Sequence, residues 1–187
     1  LTHAHFDHCG GLKYFFNKEL LIKNKIYKNL KNRDFLGLEF LKIQDFNNKI
    51  VSKLGPNLAN FCRYFNIKDI DKLKNYRKNI IDNGNFCFEI IHTPWHTNDS
   101  CVLFDKKNKI LVSGDTLYNG QIYASMKNSN KKNFLQSLKI IKKLNFNLVL
   151  PGHNNIMNKR KAVDVIKRWE KYLTKMIIRC ILLKFIK

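Results

Sequence analysis

Several things are missing from this sequence, and each absence narrows what the chain can be. No stretch of about 18 uncharged apolar residues occurs, so nothing in it reads as a membrane-spanning helix. There is no Cys-x-x-Cys pair, and the five cysteines, Cys9, Cys62, Cys87, Cys101 and Cys180, are odd in number and far apart. That spacing offers no disulfide framework and favours a reducing, cytoplasmic compartment. Cys87 and Cys101 fall in apolar stretches and read as small core residues. Acidic residues are scarce: 14 Asp and Glu stand against 35 Lys and Arg, a formal charge of +21. Such a surplus suits polyanions in general. Yet arginine occurs only at Arg33, Arg63, Arg77, Arg160, Arg168 and Arg179, and asparagine runs such as Asn47-Asn48 and Asn154-Asn155 accompany the lysines. Lys and Asn together are what A/T-rich codons encode, so coding bias accounts for much of the charge and a nucleic-acid role is set aside.

Histidine is absent everywhere except in three short motifs. Residues 2–8 read Thr-His-Ala-His-Phe-Asp-His, residues 92–97 read His-Thr-Pro-Trp-His-Thr, and residues 151–153 read Pro-Gly-His. Between the last two lies Ser113-Gly114-Asp115-Thr116-Leu117-Tyr118. A lone histidine is usually a surface residue or a satisfied core residue. Imidazoles and a carboxylate packed into one short run are different, because borderline divalent metals select that donor set. In an extended segment, side chains two apart share a face, so His3 and His5 can grip one ion. The chain must then turn to present Asp7 and His8 elsewhere, and Gly10-Gly11 supply permissive backbone for it.

In its order of His-x-His-x-Asp-His, a distant His, an Asp and a final His, the chain resembles the metallo-β-lactamase superfamily through residues 2–153. The resemblance implies that His3, His5 and His96 bind one metal, that Asp7, His8 and His153 bind a second, and that Asp115 bridges them. It implies two divalent ions, zinc first, with iron or manganese as alternatives. It also implies a bridging hydroxide held near Asp7, the acidity of whose parent water the pair of metals raises. His92 is expected to orient the site through hydrogen bonds, or else to be a plain buried strand residue. Trp95 departs from the pattern, which usually has Gly there. A Gly permits positive φ and Trp tolerates it badly, so either the loop follows another path or Trp95 walls the substrate pocket.

The fold implied is α/β: a metallo-β-lactamase αββα sandwich lacking its first strands, because the chain opens at Leu1 without Met where relatives of this kind place several strands before the first histidine motif. On this reading residues 1–187 are a single domain, partial at its N-terminus, with a helical or loop region over 20–85 and a C-terminal helix over 159–187. A sheet so shortened would expose an edge and an apolar face. Residues 11–16 are expected to begin a helix, Gly55-Pro56 to break the region that follows, and Asn83-Gly84 to turn. Strands are expected at 86–93, 100–105, 109–113 and 147–150. Helical spacing of Phe134, Leu135, Leu138, Ile141 and Leu144 predicts a helix over 131–144. In the tail, Val165, Ile166, Trp169, Leu173, Met176, Ile177 and Cys180 share a helical face. It either packs on the sheet or rests on a membrane surface.

Fold alone does not settle the reaction. His5 argues against the flavodiiron pattern, and the filled Asp115 and His8 positions argue against the cysteine-containing β-lactamases. The connection from Asp115 to His153 is too short for an inserted nuclease domain, and no histidine follows His153. What remains is hydrolysis of a small-molecule ester or thioester. The stretches 113–120 and 150–154 look most like acyl-CoA thioesterases of this superfamily, with glyoxalase II and lactonases as alternatives. A nuclease of the same fold is a further alternative, as is an inactive remnant that keeps the ligands for binding. Tyr118, three residues past the bridging Asp, is the candidate donor to the substrate carbonyl oxygen, and a lysine-rich surface suits the phosphates of coenzyme A.

Overall fold

The structure, a computed structural model, describes residues 1–9, 21–23, 26, 28, 74–75, 79–122 and 129–185. The helix expected from Gly11 and the Gly55-Pro56 break lie outside them, as does most of the 20–85 region. The chain divides into two units, Leu1–Lys78 and Asn79–Lys187. In the first, a single helical turn, α1 (Phe6–Cys9), closes the histidine run, and two short strands, β1 (Leu21–Ile22) and β2 (Lys74–Asn75), pair in parallel.

In the second unit, apolar bursts separated by turn formers each become a strand of one sheet. Its strands are β3 (Ile80–Asp82), β4 (Cys87–His92), β5 (Cys101–Asp105), β6 (Ile110–Gly114), β7 (Leu148–Pro151) and β8 (Met157–Asn158), in that spatial order. Neighbours run antiparallel except β6 and β7, which are parallel. A parallel pair needs a crossover, and helix α2 (Lys131–Lys143) is part of it. The four strands expected from the sequence are present within a residue or two. The short β1, β2, β3 and β8 were not foreseen, and the first three fall in the 20–85 region expected to be helix and loop, because two or three residues carry too little pattern to read.

The turns follow from local chemistry. Gly84 takes φ of 85° in the Asn83-Gly84 turn between β3 and β4. At the β5–β6 hairpin, the Asp105 carboxylate accepts the Asn108 backbone N–H at 2.9 Å and its side-chain amide at 2.7 Å. Those hydrogen bonds hold the Asp105 carboxyl below the usual carboxylate range, the Asn108 backbone N–H foremost and against the opposing effect of burial. Helix α2 starts where the Asn130 side chain accepts from Lys132 N and Asn133 N, as an N-cap should.

Helix α2 buries Phe134, Leu138 and Ile141, and α3 (Lys159–Phe185) buries Val165, Ile166, Trp169 and Leu173. These residues share a core with Leu111 of β6 and Val149 of β7, and each large apolar side chain taken fully out of water contributes roughly 1.5–3 kcal/mol. An ion pair between Lys142 and Glu170 at 3.1 Å joins the two helices at the surface. Cys101 is buried as expected, but Cys87 is exposed, because it lies on the β3–β4 side of the sheet where Ile80 and Phe86 are also in contact with solvent. Local loss of solvation around its sulfur and the nearby carboxylates of Asp82 and Asp105 raise the Cys87 thiol above its ordinary value, although the residue is exposed. Among the described residues, no helix is long and apolar enough to cross a membrane.

Candidate metal centre

The histidine run of the first unit gathers its imidazoles by local geometry alone. His3 and His5 are buried, at 1% and 5% exposure, and their ring centroids lie 4.7 Å apart. After His5 the chain turns: His8 N–H donates to His5 O at 3.1 Å, which brings the His8 ring to 4.2 Å from that of His3. Asp7 and His8 approach to 3.7 Å on the more exposed side of the turn. Thr2 Oγ1 hydrogen-bonds His3 Nδ1 at 3.1 Å. That contact gives Nδ1 an orienting role and leaves Nε2 for ligation, the division of labour expected of a metal-binding imidazole.

In the second unit, the sheet does the gathering. His96 lies on the loop after β4, Asp115 directly follows β6, and His153 follows β7. The parallel pairing of β6 and β7, with a bulge between Val112 and Gly114, ends with Gly114 opposite Pro151. Gly152 N–H then donates to Gly114 O at 2.9 Å, and Gly114 takes φ of 49° as the chain leaves the strand. Asp115 and His153 therefore emerge side by side. His96 Nε2 and His153 Nε2 each lie 3.2 Å from the same oxygen, Asp115 Oδ2. Ligand atoms sitting about 2.0–2.1 Å from one tetrahedral zinc are separated by roughly 3.3 Å, so the spacing fits a metal centre. It also fits Asp115 as the shared ligand between the two histidines.

What holds these loops was largely illegible in the sequence. Trp95 is 1% exposed and lies flat on Phe134, with centroids 3.5 Å apart. Its indole N–H donates to Thr116 O at 3.1 Å, so the residue before His96 grips the residue after Asp115. Thr93 Oγ1 meets Thr116 Oγ1 at 3.2 Å, and Ser113 Oγ donates to Leu117 O at 2.6 Å. Of the two outcomes expected for Trp95, the loop path is the one observed, since the described non-glycine residues at positive φ are Lys109 and Asn154. Trp95 is a core residue and no pocket wall.

His92 is exposed at the end of β4, and its Nε2 bonds Asn98 O at 3.1 Å, closing the loop that carries His96. The alternative of a buried strand residue does not hold. Tyr118 is buried at 3% exposure, edge-on to Trp169 at 5.2 Å and to His153 at 6.2 Å. Its hydroxyl donates to Gln121 O, so donation to a substrate carbonyl would require giving up that bond. At Gly120, an added Cβ would stand 2.8 Å from both Asn154 Nδ2 and Tyr118 Cε2. The turn after Asp115 thus passes against the residue after His153 with no room between them.

The comparisons with known proteins agree with this picture. The profile of the metallo-beta-lactamase superfamily matches residues 1–153. The chain is 26% identical over 161 residues to acyl-coenzyme A thioesterase MBLAC2 of Gallus gallus, covering 83% of this chain and 55% of that protein. It is 29% identical over 126 residues to hydroxyacylglutathione hydrolase GloC of Haemophilus influenzae, covering 65% of this chain and 50% of that one. The chain thus spans about half the length of the curated relatives it matches. Among solved structures, a metallo-beta-lactamase superfamily protein from Sulfolobus tokodaii superposes with a TM-score of 0.61 at 23% identity, covering 95% of this chain and 66% of that chain. The fold shared is the α/β metallo-β-lactamase fold, and the chain belongs to the metallo-beta-lactamase superfamily.

Proposed function

We propose that the protein is a metal-dependent hydrolase whose two donor sets serve one binuclear centre, and that it cleaves a thioester. In this reading His3, His5 and His96 hold one divalent ion, Asp7, His8 and His153 hold the other, and Asp115 is common to both. The single observation that carries it is the contact of one Asp115 oxygen with His96 and His153 at 3.2 Å each. Three ligand-type atoms from three separate loops converge there at the spacing that a shared metal ligand requires. When bound, two such ions, zinc first with iron or manganese as alternatives, supply Lewis acidity and make water acidic enough to deprotonate near neutral pH.

The protein's own groups complete the reaction. The Asp7 carboxylate accepts a proton from the attacking water, the water oxygen bonds to the acyl carbon, and the carbon–sulfur bond breaks. The thiolate leaves and takes up the proton that Asp7 accepted, so the products are a carboxylic acid and a thiol and Asp7 is again a carboxylate. Trp95, Thr93 and Ser113 hold the 113–118 turn still while Asp115 remains in place, the preorganisation that electrostatic catalysis depends on. Acyl-CoA is preferred over S-lactoylglutathione in this reading. It is supported by the thioesterase named among the relatives and by the Tyr118-Asn119-Gly120 continuation after Asp115. Glyoxalase II remains the second reading, favoured by the other relative.

The experiment is a side-by-side assay of the metal-loaded full chain on an acyl-CoA, S-lactoylglutathione, a lactone and a precursor tRNA, with elemental analysis of the same preparation. About two metals per chain and fastest turnover of acyl-CoA are expected. Fastest turnover of the glutathione thioester makes the protein a glyoxalase II. Cleavage of RNA alone overturns the substrate class.

A further inference from the structure

Helix α3 carries a basic strip that the metal centre does not use. Residues seven apart on an α-helix lie two turns, about 10.5 Å, from one another and on nearly the same side. Lys161, Arg168 and Lys175 keep that spacing, and all three are exposed. A contact shows which way the strip faces. Arg168 Nη2 donates to Asn119 Oδ1 at 3.1 Å, and Asn119 lies only four residues past Asp115. The next residue, Trp169, stacks edge-on against Tyr118, which in turn meets the His153 ring. Arg168 therefore borders the turn that carries Asp115, and its neighbour Trp169 leads through Tyr118 to the His153 ring, whose side chain is 46% exposed.

Arg168 is well suited to a further ligand. Its guanidinium has five N–H donors, its partner here is a neutral amide, and the planar fork matches phosphate oxygens in pairs. Asp164, one turn earlier, is the acid on this side of the helix, and no ion pair joins it to Arg168 among the described residues. Four residues of chain span at most about 14 Å, shorter than an extended pantetheine arm. A thioester held at Asp115 can therefore reach the strip with the far end of its leaving group.

We propose that this side of α3 is a phosphate-binding subsite, that it takes the phosphates of a coenzyme A leaving group, and that Arg168 is its specificity-determining residue. The proposal rests on the thioester reading above for its substrate. Its binding chemistry can be tested apart from that reading.

The test uses the metal-loaded full chain and the variants R168E, R168Q and K139E. The last makes the same charge change on the exposed surface of α2, away from the strip. Two quantities are measured: the ratio of kcat/KM on an acyl-CoA to that on the matching S-acyl-N-acetylcysteamine, which has no phosphate, and the Kd for adenosine 3′,5′-bisphosphate. R168E should lower the ratio and weaken bisphosphate binding by about tenfold or more, the size of one charge-assisted contact. K139E should move both far less, and R168Q stands in if R168E melts early. Equal losses on both thioesters, or equal effects of R168E and K139E, would overturn the subsite. Acyl-CoA turnover without bisphosphate binding sinks the subsite and leaves the thioester reading standing. Bisphosphate binding that depends on Arg168, in a protein that cleaves neither thioester, sinks the thioester reading and keeps the subsite.

Discussion

The two groups of candidate ligands in this protein are made of the same residue types, His and Asp, and are built in opposite ways. The run from Thr2 to His8 gathers three imidazoles within a few residues of backbone, using little more than residue spacing and one His8-to-His5 hydrogen bond. The trio of His96, Asp115 and His153 is assembled from three separate loops. It exists only because β6 and β7 pair in register and because Trp95 and Thr93 hold Thr116. Ligands of the first kind depend on themselves, whereas those of the second kind depend on the sheet. Losing a donor should therefore look alike in both places, but losing a support should matter only in the second.

The largest effect tests the first half of that statement. Asp115→Ala and His3→Ala should each lower metal content below about two per chain and cut turnover by more than the roughly 10–100-fold typical of outer partners of metal ligands. Elemental analysis and steady-state kinetics on the same samples measure it. Full metal occupancy and activity in Asp115→Ala would show that the shared oxygen is an ion-pair partner and no ligand.

Next comes a support. Trp95→Ala removes a fully buried aromatic and should cost about 3–5 kcal/mol of stability, read as a lowered denaturant midpoint. Metal affinity should fall with it, because the indole no longer anchors Thr116. Trp95→Phe keeps the ring on Phe134 and loses only the N–H bond, so a smaller loss of stability with a distinct loss of metal affinity is expected. If both variants bind metal like the parent, the sheet-borne set is as self-sufficient as the histidine run and the contrast fails.

The smallest effect lies at the far end of the same strands. The folded state holds the Asp105 carboxyl low through Asn108, so its contribution is fully present above the ordinary carboxylate value of about 3.9. It fades as pH falls from there through the lower folded value. Parent and Asp105→Asn should thus differ in melting temperature at neutral pH and converge in acid. A gap that stays constant down to about pH 2 would mean that the charge of Asp105 plays no part in the hairpin.

The same contrast explains what could be read in advance. The candidate ligands were legible because histidine is so confined in this sequence and because β-strands of four or more residues leave a clear apolar signature. The supports were not. Nothing in the spacing of Thr93, Trp95 and Thr116 says that an indole will reach a carbonyl 21 positions away, since such contacts are set by strand pairing and helix packing. Trp95 looked like a departure from a glycine position, and its meaning came only with Phe134 and Trp169 around it. Cys87 was misread for a related reason: an apolar strand has two faces, and alternation cannot say which is covered. Tyr118 lies edge-on to the His153 ring, but which way its hydroxyl points depends on the Gln121 carbonyl, which no sequence pattern marks.

Gly120 holds one more consequence. A side chain there would have to displace Asn154 and the Tyr118 ring together, although glycine itself carries no reactive group. Every single-base change that alters a glycine codon's meaning adds at least a methyl group or ends the chain. Missense mutation at this codon is therefore expected to read as loss of function in a selection, at a site that an inventory of reactive groups would pass over.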